Sequence, residues 1–437
     1  MATMYRSTSP TRRSRLLAGI GAAAIALTTL AAGAGPASAD TVTATIPAGT
    51  NPIAIAITPD GSRAYITNQS GTVSVIDTAT NTAAGTIPVG TQPRGVAITP
   101  DGTRAYVANL VSSTVSVIDT ATNTAAETLP IGGSPHAVAI TPDGTRAYVA
   151  NWNSASVSVI ETATNTITGT VPVGGSPNAV AITPDGTRAY VTNQGSASVS
   201  VIETATNTVA GTIPVGQSPV GVAITPDGAR AYITNQGSGT VSVIDTATNT
   251  GGETISAGAN PYGVAITPDG TRAYITNQGS ASVSVIETAT NTIIGTIPVG
   301  SSPIGVAITP DGTRAYVINN GSYSVSVIAI EQAPTLTGTP TTGVLDQPYS
   351  HAFTVTGQPA PTVTVTIGDL PAGLTLTEAG VLSGTPTAVG KFEFTLTASN
   401  GIGIGTDAVL PVVLEITDTT PPVTGSFGSL GSMTWNS

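Results

Sequence analysis

One unit of about 42 residues, repeated seven times, governs what this chain can fold into. The tetrapeptide Thr-Pro-Asp-Gly recurs with its aspartate at Asp60, Asp101, Asp143, Asp185, Asp227, Asp269 and Asp311, one step of 41 residues followed by steps of 42. Each unit runs in the same order. An apolar run such as Gly95-Val96-Ala97-Ile98 leads into the Pro-Asp-Gly turn, and Arg104-Ala105-Tyr106-Val107-Ala108-Asn109 follows. A Gly/Ser loop comes next, then the alternating run Val115-Ser116-Val117-Ile118, a Thr/Asn turn and a fourth short run ending in Pro-Val-Gly or a variant. All four runs have strand length, carry Val, Ile, Thr and Tyr, and are bounded by turn residues. No segment shows a useful helical period, and 50 Gly, 32 Pro and only 8 % charged residues exclude a coiled coil or helical bundle.

Four strands in about 42 residues make one blade of a β-propeller, and seven copies fall within the usual range of roughly 4–8 blades. The fourth strand tests this reading. It occurs six times between units, as in Gly85-Thr86-Ile87-Pro88, and is missing after the seventh, where Val325-Ser326-Val327-Ile328 gives way to a different composition. The missing copy stands at the other end, as Thr41-Val42-Thr43-Ala44-Thr45-Ile46-Pro47. The expectation is therefore an all-β chain whose residues 40–331 form a seven-bladed propeller closed by an N-terminal strand, leaving no open sheet edge.

Arg6, Arg12, Arg13 and Arg15 precede an apolar run from Leu16 to about Ala32, and Ala37-Ser38-Ala39 supplies a cleavage signal before Asp40. Residues 1–39 read as a secretory signal peptide, and Thr11-Arg12-Arg13-Ser14-Arg15-Leu16-Leu17 resembles a twin-arginine export signal, although Arg15 stands where that pattern has an aromatic or aliphatic residue. The expected location is secreted, extracellular or on the cell surface, with no integral membrane segment in the mature chain. Loss of the leader would move the formal charge from −11 to −15, which disfavours nucleic acid as a partner. With 0 Cys, disulfides, iron–sulfur clusters and thiolate metal sites are excluded. No cofactor and no metal is expected, and the chain is read as a monomer.

Tyr190-Val191-Thr192-Asn193 is the signature of the YVTN family of β-propeller repeats, with near copies at Tyr65-Ile66-Thr67-Asn68, Tyr232-Ile233-Thr234-Asn235 and Tyr274-Ile275-Thr276-Asn277. Together with the Thr-Pro-Asp-Gly turns, the resemblance runs from about Thr41 to Ile330. It implies an extracytoplasmic propeller similar to those of bacterial and archaeal surface-layer and cell-surface proteins, without fixing one activity. From Ala333 the repeat stops. Leu370-Pro371-Ala372-Gly373-Leu374, Gly380-Val381-Leu382-Ser383-Gly384-Thr385-Pro386 and Phe392-Glu393-Phe394-Thr395-Leu396-Thr397-Ala398 resemble the Ig-like domain found in many secreted bacterial proteins. This resemblance implies a small β-sandwich over residues 332–417, a spacer or adhesive unit. Residues 418–437 are rich in Gly, Ser, Thr and Pro and read as a flexible tail.

Most polar residues belong to the repeat, and a residue present in every blade is expected to be structural. The turn aspartates suit Pro-Asp-Gly turns. The arginines before each Ala-Tyr and the acids after Val-Ile read as solvated or paired charges, and the seven tyrosines are expected to pack between blades.

Departures from the repeat carry more information. The residue after the proline entering each inner strand varies freely: Ile53, Arg94, His136, Asn178, Val220, Tyr262 and Ile304. In a propeller these positions surround one mouth of the central channel. The loop between the second and third strands adds two exceptions, Trp152 and Tyr323. The candidate ligand-binding residues are Arg94, His136, Asn178, Trp152, Tyr262 and Tyr323, with Arg94 as charged anchor and Trp152 or Tyr262 as stacking surface for a glycan or an anionic or polar small molecule. The competing explanation is drift at loop positions under weak structural demand.

The functional expectation is a non-catalytic scaffold that binds a cell-envelope component, a protein or a glycan through one face of the ring. The alternative is a propeller enzyme of lactonase or lyase type, since related propellers resemble such enzymes. Only His136 and His351 are present, the second in the Ig-like region, so a histidine-rich metal or haem site is excluded and any nucleophile–histidine arrangement would have to use His136. No catalytic residue is assigned.

Overall fold

The structure, a computed structural model, describes residues 40–401 and 407–418. The expected signal peptide over residues 1–39 and all but the first residue of the expected tail lie outside them. Seven four-stranded antiparallel sheets form the blades. Blade 1 consists of Pro52–Ile57, Arg63–Asn68, Thr72–Asp77 and Thr82–Pro88, and the same plan runs through blade 6, which ends at Thr292–Pro298. In blade 7 the strands Pro303–Ile308, Arg314–Asn319 and Ser324–Ala329 are completed by Thr41–Pro47, with Thr41 opposite Ala329 and Pro47 opposite Ser324. The closure expected from the strand count is the one observed.

Local chemistry explains the turns. In Thr183-Pro184-Asp185-Gly186, one Asp185 carboxylate oxygen accepts from the Thr183 hydroxyl at 2.5 Å and from the Thr187 backbone N–H at 3.0 Å, while Gly186 takes φ +72°. Those hydrogen bonds, the Thr183 hydroxyl first, hold the Asp185 carboxyl below the usual carboxylate range. The turn after the third strand places an asparagine in the left-handed region, as at Asn123 (φ 55°) and Asn207 (φ 55°), a conformation asparagine tolerates better than most residues.

These asparagines also join the blades. The Tyr65 hydroxyl, on a ring with 0 % exposure, donates to Asn123 Oδ1 of blade 2 at 2.6 Å, and Arg63 Nη1 donates to the Thr120 carbonyl at 2.7 Å. Every repeat tyrosine is fully buried between blades, each such burial contributing about 3 kcal/mol before entropy costs. The repeat arginines are therefore not simply solvated charges: six of them clasp a backbone carbonyl of a neighbouring blade. The seventh, Arg272, is paired with Asp40 instead.

Beyond the ring lies a β-sandwich. Gly343–Val344, Ala408–Thr417, Gly390–Ser399 and Thr362–Ile367 form one sheet, Tyr349–Ala352, Val381–Gly384 and Leu374–Leu376 another, and Gln332–Thr337 pairs with Thr354–Gln358. Leu382, Leu396, Phe394 and Leu414 lie in its core. The sandwich meets blade 7 through Gln332 Nε2 on the Asp311 carbonyl and Gln358 Nε2 on the Thr313 carbonyl, both 3.2 Å. Asp311 and Thr313 lie in the turn between the first two strands of blade 7, opposite the end from which the loops after the second strands emerge. The sandwich therefore leaves that second end of the channel uncovered. Among the described residues no helix is long and apolar enough to cross a membrane.

Candidate functional site

A cavity of about 350 Å³ opens at the uncovered end of the ring, lined by Arg94, Leu110, His136, Trp152, Asn178, Gln194, Val220, Gln236 and Tyr262. Two positions of the repeat build it. One is the first residue after the proline of each inner strand, giving Arg94, His136, Asn178, Val220 and Tyr262. The other directly follows the buried asparagine that ends each second strand, giving Leu110, Trp152, Gln194 and Gln236. Towards blades 7 and 1 the first ring continues as Ile304 and Ile53, which belong with Tyr262 and Ile318 to one apolar cluster. The first ring is thus apolar on that side, while the cavity spans blades 2 to 6.

Five of the six candidate residues converge here; Tyr323 does not. Trp152 immediately follows Asn151 and leaves the strand end pointing into the channel, whereas Tyr323 lies three residues further along its loop than the equivalent Asn320. Tyr323 occupies a left-handed conformation (φ 51°), is 49 % exposed, and accepts the Ala48 N–H on its carbonyl at 2.9 Å. Its expected place at the channel mouth is corrected by this difference in loop position. The residues missed from the sequence, Leu110, Gln194 and Gln236, share the repeat position of Trp152. Aligning each unit on its buried asparagine exposes that ring.

His136 is held by a substitution within the repeat. In four blades a threonine on the second strand caps a carbonyl of the next inner strand: Thr67 to Arg94 at 2.6 Å, Thr192 to Val220 at 3.0 Å, Thr234 to Tyr262 at 2.5 Å and Thr276 to Ile304 at 2.8 Å. Blade 3 has Ala150 at this position, and the Asn178 carbonyl it would have capped lies 2.8 Å from His136 Nδ1 instead. Because a carbonyl only accepts, Nδ1 carries the proton and Nε2 keeps its lone pair. The imidazole lies 5.3 Å from the Trp152 ring at a 32° tilt.

Although the His136 ring meets solvent on its channel side, protein walls the rest. Desolvation, and secondarily the positive charge of Arg94, push its pKa down to about 4 against the opposing Asn178 carbonyl contact. Burial raises the Tyr262 hydroxyl, and Arg94 pulls it partly back. Arg94 therefore acts electrostatically on both blade 3 and blade 6. Among the described residues its Nε is buried without a hydrogen-bond partner, and the cavity lining contains no carboxylate. Among the described residues every other arginine donates to a carbonyl or carboxylate, and Lys391 pairs with Glu393. Asn178 and Gln194 are joined at 3.1 Å, as are Gln236 and Gln278 at 3.0 Å, so their amides are mutually oriented.

A larger cavity, about 860 Å³, lies between the turns of blades 6 and 7 and the sandwich. It is lined largely by turn residues of the repeat, and its guanidinium, Arg272, is already engaged with Asp40. The smaller channel cavity holds the unpaired cation, the histidine and the exposed aromatic faces, and is the better candidate despite its size.

Comparison with known proteins agrees with the architecture. The family described as "Lactonase, 7-bladed beta-propeller" matches residues 78–210, and the "Choice-of-anchor I domain" matches residues 152–301. The "Putative Ig domain" family matches residues 327–417. No curated protein matches the chain. Among solved structures, a chain of Kuenenia stuttgartiensis hydrazine synthase is similar at 27% identity with a TM-score of 0.58, over 64% of this chain and 95% of that one. The class defined is a seven-bladed β-propeller followed by an Ig-like sandwich.

Proposed function

We propose that this protein is a secreted or surface-associated propeller scaffold of the YVTN repeat type that holds an anionic or polar ligand, borne by a cell-envelope component, a protein or a glycan, in the channel mouth across blades 2 to 6. The observation that supports this reading most is Arg94: among the described residues, a guanidinium with an unpartnered Nε at a cavity lined by no carboxylate. No side chain of the lining neutralises this guanidinium, and a bound anion would do so. Trp152 and Tyr262 supply aromatic faces from blades 3 and 6. The choice-of-anchor and Ig-like matches support placement at the cell surface, with the sandwich as spacer on the far side of the ring. The test is binding of the purified protein to glycans and isolated envelope fractions beside an Arg94→Ala/Trp152→Ala variant. Loss in the variant supports the reading, and unchanged affinity overturns it.

A lactonase-type enzyme is the second reading, favoured by the family match over residues 78–210, which contains Arg94 and His136, and by the free Nε2 of His136. Against it, a base whose conjugate acid has a pKa of about 4 is poorly matched to proton abstraction near neutrality. A backbone carbonyl, not a carboxylate, orients the ring. Lactone hydrolysis that disappears in His136→Gln would establish the enzyme; saturable binding without turnover supports the scaffold.

A further inference from the structure

We propose that the occupant of the channel mouth is a hydroxy-carboxylate of the sugar-acid class, a uronic acid residue, with its carboxylate on Arg94, a hydroxyl donating to His136 Nε2, and its C–H face against Trp152. This rests on the ligand-binding reading of the same cavity and names the chemistry it selects.

Three observations narrow the ligand. Among the described residues Arg94 is the only charge in the lining, and a planar guanidinium suits one carboxylate. Beside it stands an acceptor. The Asn178 carbonyl fixes the proton on Nδ1, so Nε2 presents a lone pair. An anion without a hydroxyl, such as cyclohexanecarboxylate, would leave that nitrogen without a donor, while a carboxylate ligand with a neighbouring hydroxyl satisfies both groups. A second cation on the ligand, as in a zwitterionic amino acid, would meet Arg94 with no carboxylate in the lining to balance it. Finally, Trp152 lines the cavity beside His136, their ring centroids 5.3 Å apart at a 32° tilt, and offers an aromatic face to a saccharide ring, while about 350 Å³ accommodates one or two sugar units.

The experiment titrates the purified protein with glucuronate, glucose and cyclohexanecarboxylate by calorimetry, with tryptophan fluorescence as a second readout. Expected is glucuronate binding at least about tenfold tighter than either competitor, with the advantage over glucose removed in Arg94→Ala. A His136→Phe/Ala150→Thr variant keeps an aromatic ring beside Trp152 and restores the threonine cap on the Asn178 carbonyl, so folding is maintained while the acceptor is removed. In that variant the discrimination between glucuronate and cyclohexanecarboxylate should collapse while dependence on Arg94 persists. Equal or tighter binding of cyclohexanecarboxylate to the unaltered protein overturns this inference. If envelope fractions still bind through Arg94, that result leaves the scaffold reading standing. Absence of Arg94-dependent binding for all three probes and for envelope fractions overturns both.

Discussion

Asp40 takes, for Tyr274, the place that an asparagine of the next blade takes for every other repeat tyrosine. Six hydroxyls donate to Asn81, Asn123, Asn165, Asn207, Asn249 or Asn291, but blade 7 lacks that turn because the chain departs for the sandwich. The Asp40 carboxylate replaces it. It accepts from the Tyr274 hydroxyl, from Arg272 Nη1 at 3.3 Å and from the Glu331 backbone N–H at 2.8 Å. Burial, reinforced by the neighbouring carboxylate, raises the Tyr274 hydroxyl pKa well above its ordinary value.

Ring closure should therefore depend on this one side chain. Asp40→Ala strands a largely buried guanidinium and a buried hydroxyl, and is expected to cost about 3–5 kcal/mol. Asp40→Asn, which restores the acceptor used by the other blades but not the charge, should cost less. Urea unfolding with unchanged m-values measures both, and equal stability of Asp40→Ala and the unaltered chain would sink the latch.

Ala150→Thr should reinstate the repeat's own hydroxyl opposite the Asn178 carbonyl and displace His136 from it. The expected change in stability is small, within about 1 kcal/mol. The informative readout is the 15N spectrum of His136, which should lose its fixed Nδ1–H tautomer. An unchanged tautomer would show that the carbonyl is not what selects it.

Acidification offers a separate check. His136 has a folded pKa near 4 against 6.5 when unperturbed, so between those values the unfolded chain binds a proton that the native protein does not. Its contribution makes stability fall as pH drops from about 6.5 to about 4, with full effect below. In His136→Gln the stability profile should be flatter across that window. A proton resonance of His136 titrating near 6.5 in the folded protein would contradict the burial of the ring.

Tyr323 serves as the control for the site. It holds a left-handed conformation at a position where blade 5 has Gly239 (φ 67°). Tyr323→Gly should leave ligand binding unaltered and stabilise the fold by up to about 1 kcal/mol through relief of backbone strain. A loss of binding would return Tyr323 to the mouth.

Much of this molecule is local chemistry written seven times. Pro-Asp-Gly turns, left-handed asparagines and strand-length Val/Ile/Tyr runs determine the blades, and the displaced Thr41–Pro47 strand determines how the ring closes, because each depends on neighbours a few residues away. The convergence of Arg94, His136, Asn178, Trp152 and Tyr262 also followed from repeat register. The misplacement of Tyr323 arose from treating a whole loop as one position. Three facts depended on residues far apart in sequence: the unpaired state of Arg94, the carbonyl that sets the His136 tautomer 42 residues away, and the Asp40 contact with Tyr274 across 234 residues. The sequence by itself determined the blades, their number and their order. Only the closed ring decided which side chains face one another across the channel and which are left without a partner, since that depends on curvature accumulated over all seven units.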